Sequence, residues 1–407
     1  MERKINRFIK LYPWYAGITG DLLFYIAIDT LFLTIVKNFS AAQVVALSSL
    51  SQFACIALQF PLLFLIKRIG NTHSARSGAF CLLASALLIT FGKNFYLVLL
   101  GRVLHDVALI LREASTVMLE NNLDLVDKRS DFVRLRTSAN TIYAVITMLI
   151  SFVASLMFNL NNYLPMFGCI TTCSIGFLIS LFMKDYSDYD KIAAVPTKRE
   201  KVKIHYGKFL ILALVVFSIF YPVIVTGQTE GKLFIQENLL ADFNTDNTAL
   251  VLGGIVCVSR IVRVFSNILF AKLYEKYQKA MIIALPVMLC TAIASLLFGS
   301  FIPLVFLRIA VMSFGYIIVL FARDPYKLCI QDAIFEKTPK EQHQTLLTIM
   351  QFGVKIGTAA MGLSFSALLL QYPMALVMSI IFVIAAIEIF LSIWLYRVTA
   401  RQAAPAV

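Results

Sequence analysis

Charge is scarce in this chain. Only 14% of its 407 residues are Asp, Glu, Lys or Arg, against about a quarter in a water-soluble domain. That scarcity excludes a cytosolic enzyme and a disordered regulator. Cysteine is sparse and unpatterned. Cys55, Cys81, Cys169, Cys173, Cys257, Cys290 and Cys329 all fall in apolar runs, their number is odd, and no C-x-x-C occurs. They read as small core hydrophobes, which excludes a disulfide scaffold. The four His are scattered, so no metal site is expected. Also missing are H-E-x-x-H, the P-loop and the dinucleotide fingerprint. Their absence argues against an enzyme, a resident cofactor and a self-contained ATP-driven pump. The opening MERKINRFIK has no short apolar core before a small-residue cleavage site, so no cleaved signal peptide is expected.

What the chain has in excess is apolar side chain. Hydrophobic residues make up 59% and the mean hydropathy is +0.82. No soluble core of this length can hide so much, and the surplus must face lipid. A spanning helix needs about 20 largely apolar residues. Twelve such runs can be read, near 13–36, 42–66, 75–92, 94–121, 136–159, 163–183, 208–230, 247–271, 280–299, 302–324, 343–370 and 374–397. The third and fourth are separated by a tight turn at Gly92 and Lys93.

The formal charge of +13 suits either nucleic acid or a membrane protein whose basic residues gather on one face. The distribution decides. With the N-terminus placed inside, 26 of the 36 Lys and Arg fall in the tails and loops on that side. Lys37, Lys93 and Lys232 fall on the other, and the remaining seven lie within the runs. The bias puts both termini in the cytoplasm of a multi-pass cell-membrane protein. It accounts for the charge with the bilayer as partner and without a nucleic acid.

Landmarks recur along the chain. Lys67-Arg68-Ile69-Gly70 matches Glu275-Lys276-Tyr277-Gln278 at an offset of 208, Arg102 matches Arg308 at 206, and Asp127-Lys128 matches Glu336-Lys337 at 209. A duplication of six runs follows. The polar stretch 184–207, with Asp185, Asp188 and Asp190 before Lys198, Arg199, Lys201 and Lys203, reads as the linker between residues 1–183 and 208–407.

In these features the chain resembles the major facilitator superfamily over essentially its whole length. After the second run, Arg68 and Gly70 fit that family's loop motif, with Lys67 and Leu63 replacing its Asp and first Gly. A second copy fits as Ala271, Glu275, Lys276 and Lys279. Gly101-Arg102 looks like the family's fourth-span arginine motif, with Asp106 where Gly is common. The Gly-rich antiporter motif of the fifth span is absent, since Thr137 to Phe158 contains neither Gly nor Pro. The resemblance implies an all-α integral membrane protein. Its twelve transmembrane helices would form two pseudo-symmetric six-helix bundles around a central cavity lined by spans 1, 4, 7 and 10.

An ionisable side chain at the bilayer centre costs at least about 2.5–3.5 kcal/mol, so it is kept for a reason. Asp21, Tyr25 and Asp29 share one face of a continuous helix, and so do Arg102, Asp106, Glu113 and Glu120, flanked by His105 and Arg112. The second half carries Arg260, Arg263, Arg308, Tyr316, Arg323 and Asp324, with Lys355 inside Gly353-Val-Lys-Ile-Gly357. Span 7 adds Tyr221, Pro222, Gln228 and Glu230. Arg323 is expected to anchor the inner end against Asp324, and Glu388 to make a local helix-packing hydrogen bond.

The first half is thus acidic within its runs and the second basic. The expected function is secondary transport, by a monomer, of a small polar solute that is anionic or zwitterionic. Tyr25, Arg102, Gln228, Arg260, Arg263, Arg308, Tyr316 and Lys355 would bind the solute. Asp21, Asp29, Asp106 and Glu113 would carry coupling protons. Arg68, Gly70, Glu275 and Lys276, with Asp124, Asp127 and Asp131, would latch the inner face. The alternatives are an exporter of amphipathic drugs or lipids and a non-transporting membrane sensor.

Overall fold

The computed structural model describes residues 2–187, 207–277, 280–339 and 343–403. No strand occurs among them. Each of the twelve apolar runs lies on helix. The order is α1 (Glu2–Ile18), α2 (Tyr25–Leu31) continued by a π-helical turn (Phe32–Val36), α3 (Ala41–Phe91), α4 (Phe95–Arg112), α5 (Ala114–Asp124), α6 (Phe132–Leu160) and α7 (Leu164–Leu181). Then come α8 (Lys208–Asp242), α9 (Thr245–Tyr277), α10 (Met281–Gly299), α11 (Val305–Glu336), α12 (His343–Leu369) and α13 (Met374–Ala403). Among the described residues, nine helices are long and apolar enough to cross a membrane. Large apolar side chains lie outward on them, with Phe60, Phe306 and Phe390 each more than 70% exposed. Water would not tolerate that surface, and lipid does. The chain is a multi-pass membrane protein.

Five boundaries differ from the sequence reading. The loop expected at 67–76 is a one-residue bend. Helix runs on both sides of Gly70, whose φ of 84° and ψ of 167° belong to a region open essentially to glycine alone. The next helix starts at once, with the Ser74 hydroxyl donating to the Gly70 carbonyl. The first run is broken at residues 19–24, and the fourth at Glu113, between α4 and α5. The helices around the expected loops 272–279 and 327–340 also run on, to Tyr277 and Glu336. At 1.5 Å per residue, α11 exceeds the roughly 30 Å of the hydrocarbon core.

Backbone contacts divide the chain into two units. One comprises Met1–Phe39, Leu50–Lys198 and Ala249–Cys257; the other comprises Ser40–Ser49, Arg199–Thr248 and Val258–Val407. In the first, α1 packs on α5, α6 and α7. The N-terminal part of α1 packs in a cluster with Phe8, Tyr12, Tyr15, Met118, Leu119, Leu123 and Met183. In the second, α8 is the central helix, flanked by α11, α12 and α13, and α10 packs on α11 and α13.

Each unit borrows a short segment from the other half of the sequence, and the two borrowed contacts match. In the first unit a Cβ on Gly253 would collide with the Ser155 side chain; in the second a Cβ on Gly362 would collide with that of Ser49. At both places a glycine leaves the space that the serine side chain fills. Positions 49 and 253 differ by 204, and 155 and 362 by 207, close to the offset of the sequence landmarks.

The start of the expected linker is fixed to the first unit. Asp185 is buried, and its carboxylate accepts from Asn71 at 3.1 Å, Asn121 at 2.8 Å and the Ser187 hydroxyl at 2.6 Å. Arg76 donates to the carbonyls of Leu181, at the end of α7, and Met183, just beyond it, where the helix presents unsatisfied acceptors. Residues 188–206, the bulk of that stretch, lie outside the described residues.

Candidate functional site

In the first unit the broken first span builds the site. Side-chain bonds to the local backbone accompany the break there. The Thr19 hydroxyl donates to the Tyr15 carbonyl at 2.7 Å, and Asp21 Oδ1 accepts the Leu22 N–H at 2.7 Å. Asp21 is thereby held against α4, where His105 Nε2 lies 2.8 Å from its Oδ1. His105 is 5% exposed. Its Nδ1 is 3.4 Å from Asp106 Oδ1, in ion-pair range but outside hydrogen-bonding geometry. The imidazole stands between two carboxylates.

Arg102, one turn earlier on α4, places its guanidinium 5.9 Å from the centre of the Tyr25 ring, within the reach of a cation–π contact. It is within electrostatic range of Asp21, Asp29 and Asp106. Ser51 of α3 approaches Asp106. The Tyr25 N–H points at Cys169 Sγ of α7, 3.2 Å away. Asp29 Oδ1 accepts the Thr30 N–H at 2.8 Å. The structure therefore brings together Asp21, Tyr25, Asp29, Arg102 and Asp106. With His105 protonated, two cations face three carboxylates. Such a group can hold a proton, or exchange it for a cation, with small rearrangement.

Glu113 and Glu120 lie elsewhere. Glu113, 62% exposed, is 3.7 Å from Arg112, and Glu120 pairs with Arg129 at 2.7 Å. The interruption at Glu113 ends the continuous helix on which the shared face depended.

In the second unit the basic residues divide. Arg263 of α9 makes a two-point bond with Asp324 of α11, Nε to Oδ2 at 2.8 Å and Nη2 to Oδ1 at 3.2 Å. Arg308 pairs with Asp242 at the end of α8. Arg323 is not bonded to its neighbour Asp324 as expected. It turns to α8, with Nη1 3.1 Å from Gln228 Oε1 and Nε 3.4 Å from Tyr221 Oη. Tyr316 is buried and packs near Gly231. Lys355 is half-buried on α12, where Gly353 and Gly357 lie close against Ser218 and Pro222 of α8. Arg260, half-buried near the middle of α9, makes no ion pair or hydrogen bond with the described residues.

The residues expected to latch the inner face are arranged locally. Asp124 pairs with Arg129 and Asp131 with Arg134, while Arg68 is exposed and makes no ion pair among the described residues. Asp127 takes a left-handed backbone conformation (φ 53°). Lys276 sits over the Tyr277 ring at 5.1 Å. The side chain of Glu275 lies outside the described residues.

No family model matches this sequence, and no curated protein matches it. Solved structures do. A mutant of the nucleoside transporter NupG superposes with a TM-score of 0.76 at 10% identity, over 96% of this chain and 99% of that one. A bacterial homologue of the iron transporter ferroportin, in an inward-facing state, gives 0.66 at 11%, over 97% and 98%. A mutant of the peptide transporter POT gives 0.64 at 10%, over 98% and 93%. The chain has the major facilitator fold.

Two members of these clusters escape the sequence reading. His105 was placed beside the acidic face rather than in the site. Its signal was available: it is three residues after Arg102 and next to Asp106, inside an apolar run. Arg323 was assigned to the inner end of its span, although Tyr221 and Gln228 stood within the seventh run as acceptors for it.

Proposed function

We propose that this chain is a secondary transporter that moves a small anionic or zwitterionic organic solute by alternating access. In this reading twelve spans form two six-helix bundles, residues 1–183 and 208–407, around a central cavity, and both termini lie in the cytoplasm. The protein works as a monomer in the cell membrane. Matching contacts in the two units, at nearly the offset of the repeated landmarks, support the duplication. The cargoes named for the structural neighbours are a nucleoside, iron and peptides. They differ too much to choose a substrate, so the choice rests on this chain's own side chains.

Arg260 carries the choice. Three of the four arginines in the second unit's runs are satisfied internally, Arg263 by Asp324, Arg308 by Asp242 and Arg323 by Tyr221 and Gln228. Arg260 alone has no such partner among the described residues. An unsatisfied guanidinium within a span is costly, and a carboxylate or phosphate on the solute would satisfy it through paired N–H donors. Arg102, Tyr316, Gln228 and Lys355 line the rest of the solute's path in this reading. The group around His105 supplies proton coupling, with Asp21, Asp106 and Asp29 as acceptors.

The test is uptake by purified protein in proteoliposomes, with and without a pH gradient, over a panel of anionic, zwitterionic and neutral solutes. Gradient-driven accumulation of an anionic or zwitterionic solute is expected. It should become gradient-independent in Asp21→Asn or Asp106→Asn while exchange persists. Coupling unchanged in the Asn variants of Asp21, Asp29 and Asp106 rules out the proton role.

A further inference from the structure

Ile381, Ala385, Glu388, Ser392 and Leu395 form the buried face of α13, and each is fully buried. Their spacing is that of one helix face. Glu388 and Ser392 are polar members of an apolar stripe. Neither Glu388 oxygen has a partner in hydrogen-bonding geometry among the described residues, and neither does Ser392 Oγ. Facing them from α11 is Tyr326, 2% exposed, whose hydroxyl also lacks a partner in hydrogen-bonding geometry but lies within interaction range of the Glu388 carboxyl. From α10, Cys290 is the titratable group in range. Among the described residues, the other helices packed against α13, α8 and α12, bring no titratable or charged group into range.

The Glu388 carboxyl and the Tyr326 hydroxyl, from two helices, thus lie enclosed and within range of each other, with Ser392 one turn along α13 and no cation in range among the described residues. An enclosed carboxylate without a counter-charge carries a desolvation cost that only a partner or a proton offsets. A neutral carboxylic acid has one O–H to donate and an oxygen to accept, and the Tyr326 and Ser392 hydroxyls can do either.

From this geometry we infer that Glu388 is a proton-binding site of the second unit, with Tyr326 as its hydrogen-bonding neighbour. Release breaks the carboxyl O–H bond and passes the proton to water; uptake reverses it. The carboxylate left behind accepts only, and draws the Tyr326 O–H toward it. Tyr326 is well placed to pass on that movement. Its ring stacks on Phe217 (6.3 Å, 7°), Phe217 stacks on Tyr221 (5.1 Å, 26°), and Tyr221 Oη accepts from Arg323. The proton site is thereby tied to the Arg323–Gln228 cluster. It is distinct from the carboxylates around His105 and does not depend on the transport reading.

The test is infrared difference spectroscopy of the full-length purified protein in lipid, between acidic and alkaline buffer, without any solute. A carbonyl band of a protonated carboxyl is expected, lost in Glu388→Gln and moved in frequency in Tyr326→Phe. If Glu388→Gln does not fold, the Tyr326→Phe shift reads the same group. A band of undiminished intensity in Glu388→Gln overturns the site, and an unmoved band in Tyr326→Phe overturns the link. Because no solute enters the measurement, its failure is distinguishable from failure of the transport proposal.

Discussion

His105 stands between two carboxylates because the backbone at residues 19–24 abandons the helix and turns Asp21 toward α4. His105→Ala would remove the imidazole that bonds Asp21 and stands beside Asp106, leaving both carboxylates without it. The loss is expected to be about 1–3 kcal/mol of stability, read by thermal unfolding in detergent, with Asp21→Asn in the same background recovering part of it. A second prediction concerns Arg263 and Asp324, each roughly a quarter exposed. Removing one partner leaves a half-buried charge, whereas removing both leaves none. Arg263→Met should destabilise more than the double variant Arg263→Met/Asp324→Leu, and equal losses would deny the pair any role. Charged residues inside apolar runs were legible from the sequence because their cost forces a purpose on them. Partner choice was less so. Arg323 and Asp324 are adjacent in sequence, which suggested a pair, but consecutive residues on a helix point about 100° apart. Each finds its partner on another helix instead.

At the scale of elements, apolar length determined where helix would lie, and each run lies on helix, the first and fourth with a break. The interruptions were harder to read. Hydropathy averages over a window and passes over a single residue, so it reports a polar stretch at 67–76 as a loop. The chain needs only Gly70 to turn. Gly70→Ala places a Cβ in a backbone conformation that costs of the order of 1–3 kcal/mol, and the variant should unfold at lower temperature by a corresponding shift. An unchanged midpoint would show that the bend tolerates other residues. The break at 19–24 depends on which hydrogen bonds Thr19 and Asp21 make, and a sum of hydropathies holds no record of that. The same holds for Glu113, where the separation of α4 from α5 removes Glu113 and Glu120 from the face of Arg102.

For the whole molecule, the spacing of apolar runs, the basic-residue asymmetry and the repeated landmarks were enough to indicate the major facilitator fold. Sequence comparison is silent, while the superposition covers nearly the whole chain. The physical reason is that lipid constrains length and apolarity strictly and residue identity loosely. Orientation can be tested directly. Single cysteines at Lys93 and Lys128, in a background lacking the seven native cysteines, should react with an impermeant thiol reagent from outside and inside respectively. The reverse pattern would invert the assignment. The most direct test of the central claim is a thermal-shift screen of anionic, zwitterionic and neutral solutes on purified wild type and Arg260→Gln. An anionic or zwitterionic solute at about 100 times its Kd should stabilise the wild type by about 2.7 kcal/mol, and Arg260→Gln should lose most of that shift while unfolding normally without solute. Equal stabilisation of both proteins, or a response to neutral amphiphiles alone, would contradict the account.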